Sequence, residues 1–339
     1  MINLKNDYCG IAHPKVLKKL IELQENKFEV YGLDILSEQA KDLIKRDLKN
    51  NNVDIHFMVG GTLANKTVIA HALRPYEAVI SADTGHINVH ETGAIEETGH
   101  KIITVPNVDG KVTPELVKKA FYLHTDEHMV KPKMLYISNT TETGTVYSYE
   151  ELASLKEVCS ELGLYFYLDG ARLSSALHAS GIKISDLANL VDVFYIGGAK
   201  NGLMLGEAIV IVNEKLKENF RYAIKHYGGM YSKGFVAGIN FYVAFEDGLY
   251  YEIGKKENEL ANDLYNKLIE IGVKFESPQV SNQIFPIFDT KVIEKLKEKI
   301  MFEIWTPSIE YTTIRFVTSY MTKQDDINEA VEIIKSAIA

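Results

Sequence analysis

An acid and an amine stand at the ends of two consecutive apolar runs. The first run, Tyr165-Phe166-Tyr167-Leu168-Asp169-Gly170-Ala171-Arg172, reads as a strand that delivers a carboxylate at its carboxyl end, where open α/β sheets bind ligands. The next, Val191–Ile196, leads into Gly197-Gly198-Ala199-Lys200-Asn201-Gly202, a lysine among glycines that let backbones approach closely. A phosphate loop of the form G-x-x-x-x-G-K-[ST] fails here, because Leu203 and Met204 follow Gly202. No G-x-G-x-x-G follows a strand either, which weakens a nicotinamide-dehydrogenase reading. Pyridoxal phosphate (PLP) needs this pair: Lys200 to carry the cofactor as a Schiff base, Asp169 to keep the pyridine nitrogen protonated. The protonated ring is an electron sink for a bond breaking at a substrate Cα. Lys200 must attack as a neutral amine, so its site should lower its pKa.

Two further segments fit the same cofactor. In Phe57-Met58-Val59-Gly60-Gly61-Thr62-Leu63-Ala64-Asn65 a strand and a glycine pair open a helical stretch over Thr62–Leu73. A helix start offers free amides and a positive dipole end, so Gly61 and Thr62 are candidates to hold a phosphate. In Asp83-Thr84-Gly85-His86-Ile87-Asn88-Val89-His90-Glu91, His86 directly follows a strand end. Its ring could stack on the cofactor or move protons near neutral pH, and His90 lies one turn further on.

Positioning these residues requires a sheet. The sequence predicts strands over 55–59, 78–81, 101–105, 134–138, 164–168, 191–196 and 208–212. Several are continuously apolar, as strands covered on both faces are. Helical patterns such as 113–124 and 150–162 lie between them. The second opens on a capping-box pattern, Ser148 to Glu151. Alternation of strand and helix predicts a large, mostly parallel α/β sheet domain. After about residue 235 the order changes: a long helical stretch over 235–271 interrupted by glycines 238, 248 and 254, a strand over 283–288, a helix over 291–299, a strand over 312–318 and a last helix from Asp326. The expected division is 1–240, with an N-terminal arm, and a smaller C-terminal α+β domain over 241–339.

Composition narrows the partners. The 339 residues are 46% hydrophobic and 24% charged, with a formal net charge of −9 and no basic run, so nucleic acid is excluded as an expected partner. No apolar run reaches the roughly 18–20 residues of a membrane span, and the start lacks a secretory apolar stretch. Cys9 and Cys159 match no metal or redox spacing and suit a reducing compartment. The expectation is a cytoplasmic protein without a bound metal.

In order and spacing these segments resemble the low-specificity L-threonine aldolase group of the β-eliminating lyase family. The likeness runs through Asn6-Asp7, Tyr31-Gly32-Leu33-Asp34, Gly60 to Asn65, His86 to Glu91, Asn139-Thr140-Thr141-Glu142-Thr143-Gly144, Asp169 to Arg172, Gly198 to Gly202 and Ile314-Arg315-Phe316-Val317-Thr318. The resemblance implies a fold-type-I PLP-dependent transferase-like fold and a homotetramer, a dimer of dimers with active sites at subunit interfaces. It implies cleavage of threonine or allo-threonine to glycine and an aldehyde. It implies that Arg172 and Arg315 bind the substrate carboxylate, with Asn6 also at the substrate and Arg172 also beside the cofactor. It makes His86 both the stacking ring and a candidate base for the substrate hydroxyl.

The chain departs from the family pattern at two places. Where some relatives place a histidine facing the substrate hydroxyl, Thr141 and Glu142 stand. Where an arginine often follows paired glycines, Gly228-Gly229-Met230-Tyr231-Ser232-Lys233 puts Tyr231, with Lys233 close by. The rival readings are β-elimination or racemisation of a small amino acid on the same cofactor, and an inactive scaffold.

Overall fold

The computed structural model describes residues 1–338. Its large sheet has seven strands, β2 (Asp54–Met58), β3 (Glu77–Ala82), β4 (Ile102–Val105), β5 (Lys131–Ser138), β6 (Tyr165–Asp169), β7 (Val193–Gly197) and β8 (Glu207–Ile211), in the order β2-β8-β7-β6-β5-β3-β4. β3, β4, β5, β6 and β7 pair in parallel, whereas β8 runs antiparallel to both β7 and β2. The β7–β8 link is only residues 198–206. That is too short for a parallel crossover, so the chain turns back as a hairpin. Lys200 sits in that link.

All residues of β3, β7 and β8 are buried, which explains their largely apolar character. One apolar core fills the face covered by the helices Ile35–Leu48, Tyr149–Leu162, Ile184–Leu190 and Phe235–Glu246. Another lies under Gly61–Ala72 and Phe220–His226. The predicted capping box forms: Glu151 N–H donates to Ser148 Oγ at 3.2 Å, and Ser148 N–H to Glu151 Oε2 at 2.7 Å.

The long C-terminal helical stretch is two helices, Phe235–Glu246 and Leu249–Glu270. Of its three glycines only Gly248 breaks the helix, with φ +74° in the left-handed region. Gly238 and Gly254 stay helical because they are contact points. A Cβ at 238 would lie 2.1 Å from Ser37 Oγ, and one at 254 would lie 2.3 Å from the Ser174 carbonyl carbon.

The C-terminal sheet centres on β14 (Tyr311–Val317), flanked by β10 (Gln283–Ile284), β11 (Pro286–Asp289) and β13 (Glu303–Thr306), with β9 (Lys274–Phe275) outside β11. The strand expected over 283–288 is thus interrupted at Phe285. Helices Thr290–Lys297 and Gln324–Ile338 pack on this sheet around a separate apolar core. That core starts at Leu260, midway along Leu249–Glu270, and takes in Ile2 and Leu4. The N-terminal β1 (Ile2–Asn3) pairs with β12 (Ile300–Met301), and Leu4 bridges Met301 and Val317. Chain start and C-terminal sheet therefore form one unit, and residues 5–13 run from it towards the large sheet. Among the described residues no helix is long and apolar enough to cross a membrane.

Candidate active site

The carboxyl ends of β2, β3, β5, β6 and β7 open into a cavity of about 1030 Å³. Gly61, Thr62, His86, Asp169, Arg172, Lys200 and Arg315 all line it. Asn6 does not. Its side chain accepts a hydrogen bond from the Tyr8 amide at 3.2 Å, and it is Tyr8 that reaches the cavity.

Asp169 and Lys200 share the cavity because their loops are pressed together. A Cβ on Gly170 would meet the Tyr195 carbonyl oxygen at 2.0 Å, and one on Gly197 would meet that of Ala171 at 2.3 Å. Glycine is required at both positions by close approach, not by φ. Asn201 then ties the loops: its Nδ2 donates to the carbonyls of Ala171 (2.9 Å) and Gly197 (2.7 Å), while Ser174 Oγ donates to its Oδ1 at 2.5 Å. The residue after the lysine is thus the clamp that aims it.

Asp169 is 3% exposed and heavily supported. Its Oδ1 accepts from the Ala171 amide at 3.0 Å, and its Oδ2 from Tyr136 Oη at 2.6 Å and Asn65 Nδ2 at 3.0 Å. An ionised carboxylate offers about four acceptor positions, so one remains for a further N–H donor. Burial lowers the pKa of Lys200, and the neighbouring Arg172 cation lowers it further; Asp7, Asp169 and Glu207 oppose this incompletely. The net direction is the one a nucleophilic amine requires. The Lys200 ammonium also lies 5.8 Å from the Tyr8 ring centre.

At the other end the helix Gly61–Ala72 begins at Gly60 with no side chain capping its first turn. Its leading amides face the cavity as free donors, beside Thr62 and the ring of Tyr195. The missing Cβ of Gly61 makes room for Tyr195 Oη, 3.0 Å from where it would stand. The donors suit a phosphate, and Gly60, Gly61 and Thr62 share the cavity with Asp169.

The two arginines differ. Arg172 is held by Asp7 through a two-point ion pair. Arg315 lies against Trp305, 5.0 Å from its ring centre, and makes one long contact to Gln283 at 3.4 Å. Its Nε is buried without a partner. A guanidinium with unused donors in a cavity has the geometry to pair with a carboxylate.

His86 Nδ1 pairs with the buried Glu91 at 2.8 Å, Glu91 Oε1 accepts from Asn65 Nδ2 at 2.7 Å, and Asn65 also donates to Asp169. One chain of contacts thus fixes the ring of His86 and the carboxylate of Asp169 together. Opposite, Glu142 accepts from Ser138 Oγ at 2.7 Å, and burial raises its pKa. Burial also raises Glu207, to about 8, against the pull of the Gly198 amide and Lys200. Glu207, Tyr8, Tyr195 and Trp305 escape sequence reading. Glu207 alone leaves a signal there, as an acid opening an otherwise apolar strand. Tyr231 lies in a separate recess with Lys41, His56 and Arg221, and Lys233 lines neither cavity.

Comparison with known proteins follows the same line. The family model for beta-eliminating lyases matches residues 14–291. A low specificity L-threonine aldolase from a Pseudomonas species is 30% identical, covering 98% of this chain and 97% of its own. A solved structure of Leishmania major threonine aldolase has a TM-score of 0.98 at 40% identity, covering 100% of both chains. Thermus thermophilus aspartate aminotransferase, at 15% identity and a TM-score of 0.72 over 99% of this chain and 91% of its own, shares the fold alone, that of fold-type-I PLP enzymes. With the site geometry, these matches establish that the chain belongs to the beta-eliminating lyase family.

Proposed function

We propose that the protein is a PLP-dependent aldolase that cleaves a β-hydroxy-α-amino acid, threonine or allo-threonine, to glycine and an aldehyde. The observation that carries this reading is the shared cavity: a lysine of lowered pKa, a supported carboxylate, an uncapped helix start and a guanidinium with free donors. Lys200 would attach the cofactor, Asp169 would accept the pyridinium N–H, Gly61 and Thr62 would hold the phosphate, and His86 would stack on the ring. When bound, PLP supplies a ring that withdraws the electron pair of the bond broken at Cα. Arg315 would take the substrate carboxylate and so fix which Cα bond stands across the ring. Arg172, engaged by Asp7, would contribute its positive charge and its remaining donors. Lys200 would also be free, once the substrate amine has taken its place, to move a proton near the substrate's Cα.

The names of the Pseudomonas and Leishmania relatives support the aldolase among the reactions this site could run. Product analysis tests it. Glycine and acetaldehyde from threonine are expected; pyruvate and ammonia from serine, or racemised alanine, with threonine untouched, would replace it with elimination or racemisation.

A homotetramer with sites completed at subunit interfaces is part of the proposal. Exposed apolar side chains at Ile11, Leu33 and Ile35 suit a surface that another subunit covers. Light scattering giving a monomer would remove it. The cytoplasm is the proposed compartment, in keeping with Cys9 and Cys159 as free thiols.

A further inference from the structure

The cavity holds two histidines, and their surroundings differ in a way that divides their work. His86 opens the short helix His86–Val89 and His90 ends it, with rings 5.4 Å apart between centres. His86 is committed: its Nδ1 faces Glu91, which is anchored through Asn65 to Asp169. Its position is set from the cofactor-nitrogen side of the site. The ring of His90 makes no hydrogen bond among the described residues, and it lines the cavity.

The charged neighbours of His90 locate it. His86 lies on its own helix; Arg315 of β14, Lys200 of the β7–β8 link and Glu303 of β13 line the same cavity, and their charges reach it. A bound amino acid carries three groups on Cα besides hydrogen. The amine belongs at Lys200 and the carboxylate at Arg315. The group near both, with free nitrogens, faces the third substituent, which in this substrate class bears the hydroxyl. Glu142 is the other candidate for that position, but it is engaged by Ser138 Oγ at 2.7 Å and burial raises its pKa, so it holds its proton more readily than a base should.

Resting on the aldolase reading, we propose that His90 is a catalytic residue that takes the proton of the substrate's β-hydroxyl, while His86 serves as the stacking ring. In this step the O–H bond breaks and its proton moves to a neutral imidazole nitrogen. The O–H electron pair becomes the second C–O bond of the aldehyde. The Cα–Cβ bond breaks with its pair left on Cα, which then gains a proton to give glycine. The imidazolium of His90 returns its proton to solvent once the aldehyde leaves. The ring is open to solvent on one side, and partial desolvation first, then the His86, Arg315 and Lys200 charges, lower the His90 pKa, with Glu303 opposing, which favours the neutral imidazole.

The test compares His90→Phe, His90→Asn and His86→Phe in the PLP-loaded enzyme. It uses three readouts: threonine cleavage, exchange of the glycine Cα proton in heavy water, and PLP affinity. Glycine has no β-hydroxyl, so its exchange does not need His90. Both His90 variants are expected to lose about 100-fold or more in threonine kcat/KM, with glycine exchange and PLP affinity within about threefold of the parent. His86→Phe, which keeps an aromatic ring but loses the contact to Glu91, is expected to lower glycine exchange and threonine cleavage together, unlike the His90 variants. The proposal is overturned if His90→Phe cleaves threonine at near-parental rates, or if its glycine exchange falls in parallel with cleavage. A parent enzyme that binds PLP and exchanges glycine but never cleaves threonine would instead defeat the aldolase reading itself.

Discussion

The carboxylate of Asp7 grips the guanidinium of Arg172 at two points, Oδ2 at 2.6 Å from Nε and Oδ1 at 3.1 Å from Nη2. Residue 7 reaches that depth because the chain start is stitched into the C-terminal sheet through Ile2, Asn3 and Leu4. Asn282 Nδ2 adds a third contact at 3.0 Å from the C-terminal side. The pair therefore fastens the N-terminal segment, the large sheet and the C-terminal sheet at one point beneath the cavity. Since Asp7 occupies one edge of the Arg172 fork, Arg315 is the better placed of the two to receive a substrate carboxylate.

Asp7→Asn should leave the Arg172 charge buried and uncompensated, at a cost of about 3 kcal/mol. Thermal unfolding checks this, and an unchanged Tm would remove the pair from the account. Burial by itself would raise the Asp7 carboxyl, but Arg172 and Lys200 outweigh it and hold the group below its ordinary value of 3.8. A depressed folded-state pKa means the contribution is present above the unfolded value and is lost as pH falls through the folded one. The difference between parent and variant should accordingly shrink in strong acid.

Arg315→Gln should raise KM for the amino acid by about 10- to 100-fold, the scale of one charge-assisted contact pair, and leave PLP affinity unchanged. The stack on Trp305 and the unpartnered Nε are the reasons. Steady-state kinetics with a parallel PLP titration decide it. A fall in kcat at constant KM would point to a different role.

Glu207 gives a pH signature of opposite sign. Its pKa, raised to about 8 in the folded protein from 4.5, means the folded state keeps a proton that the unfolded state releases. Stability of the PLP-free protein should fall as pH rises from about 4.5 to about 8, by up to 1.4 kcal/mol per pH unit. Glu207→Gln keeps an acceptor for the Gly198 amide and removes the titration, so it should raise Tm at pH 8 more than at pH 5. Equal shifts at both values would contradict the assignment.

Asn201→Ala removes two donors to loop carbonyls and the acceptor for Ser174. The expected result is about 1–3 kcal/mol of lost stability and a lower kcat, because Lys200 loses its clamp. Asn201→Asp, which keeps the acceptor but not the donors, should recover little of either. Full recovery would mean that the loop is held elsewhere.

Much of this arrangement is legible in the sequence, and the limits are physical. Asp169 and Lys200 are readable because strands buried on both faces are continuously apolar, so a charged residue at their ends stands out. The helix start after Gly60-Gly61 is readable instead from the glycine pair and threonine that stand between a strand-like run and a helical pattern. The arrival of Asp7 and Tyr8 is not, because it depends on pairing between Ile2–Asn3 and Ile300–Met301, which no local pattern announces. Trp305 is hidden similarly: Glu303–Thr306 is a short strand whose residues are only partly buried or exposed. The glycines at 238, 248 and 254 look alike in sequence, yet two serve close packing and one a left-handed turn. The reversed direction of β8 follows from the length of its link to β7. That clue needs both strand ends to be known.

Borohydride reduction of the PLP-loaded protein, followed by proteolysis and peptide mapping, bears most directly on the central claim. Reduction converts a C=N link between cofactor and lysine into a stable amine that survives digestion. A single pyridoxyl group on the peptide containing Lys200, absent from Lys200→Ala, is the predicted result. A label on another lysine, or none on a protein that has taken up PLP, would contradict the account.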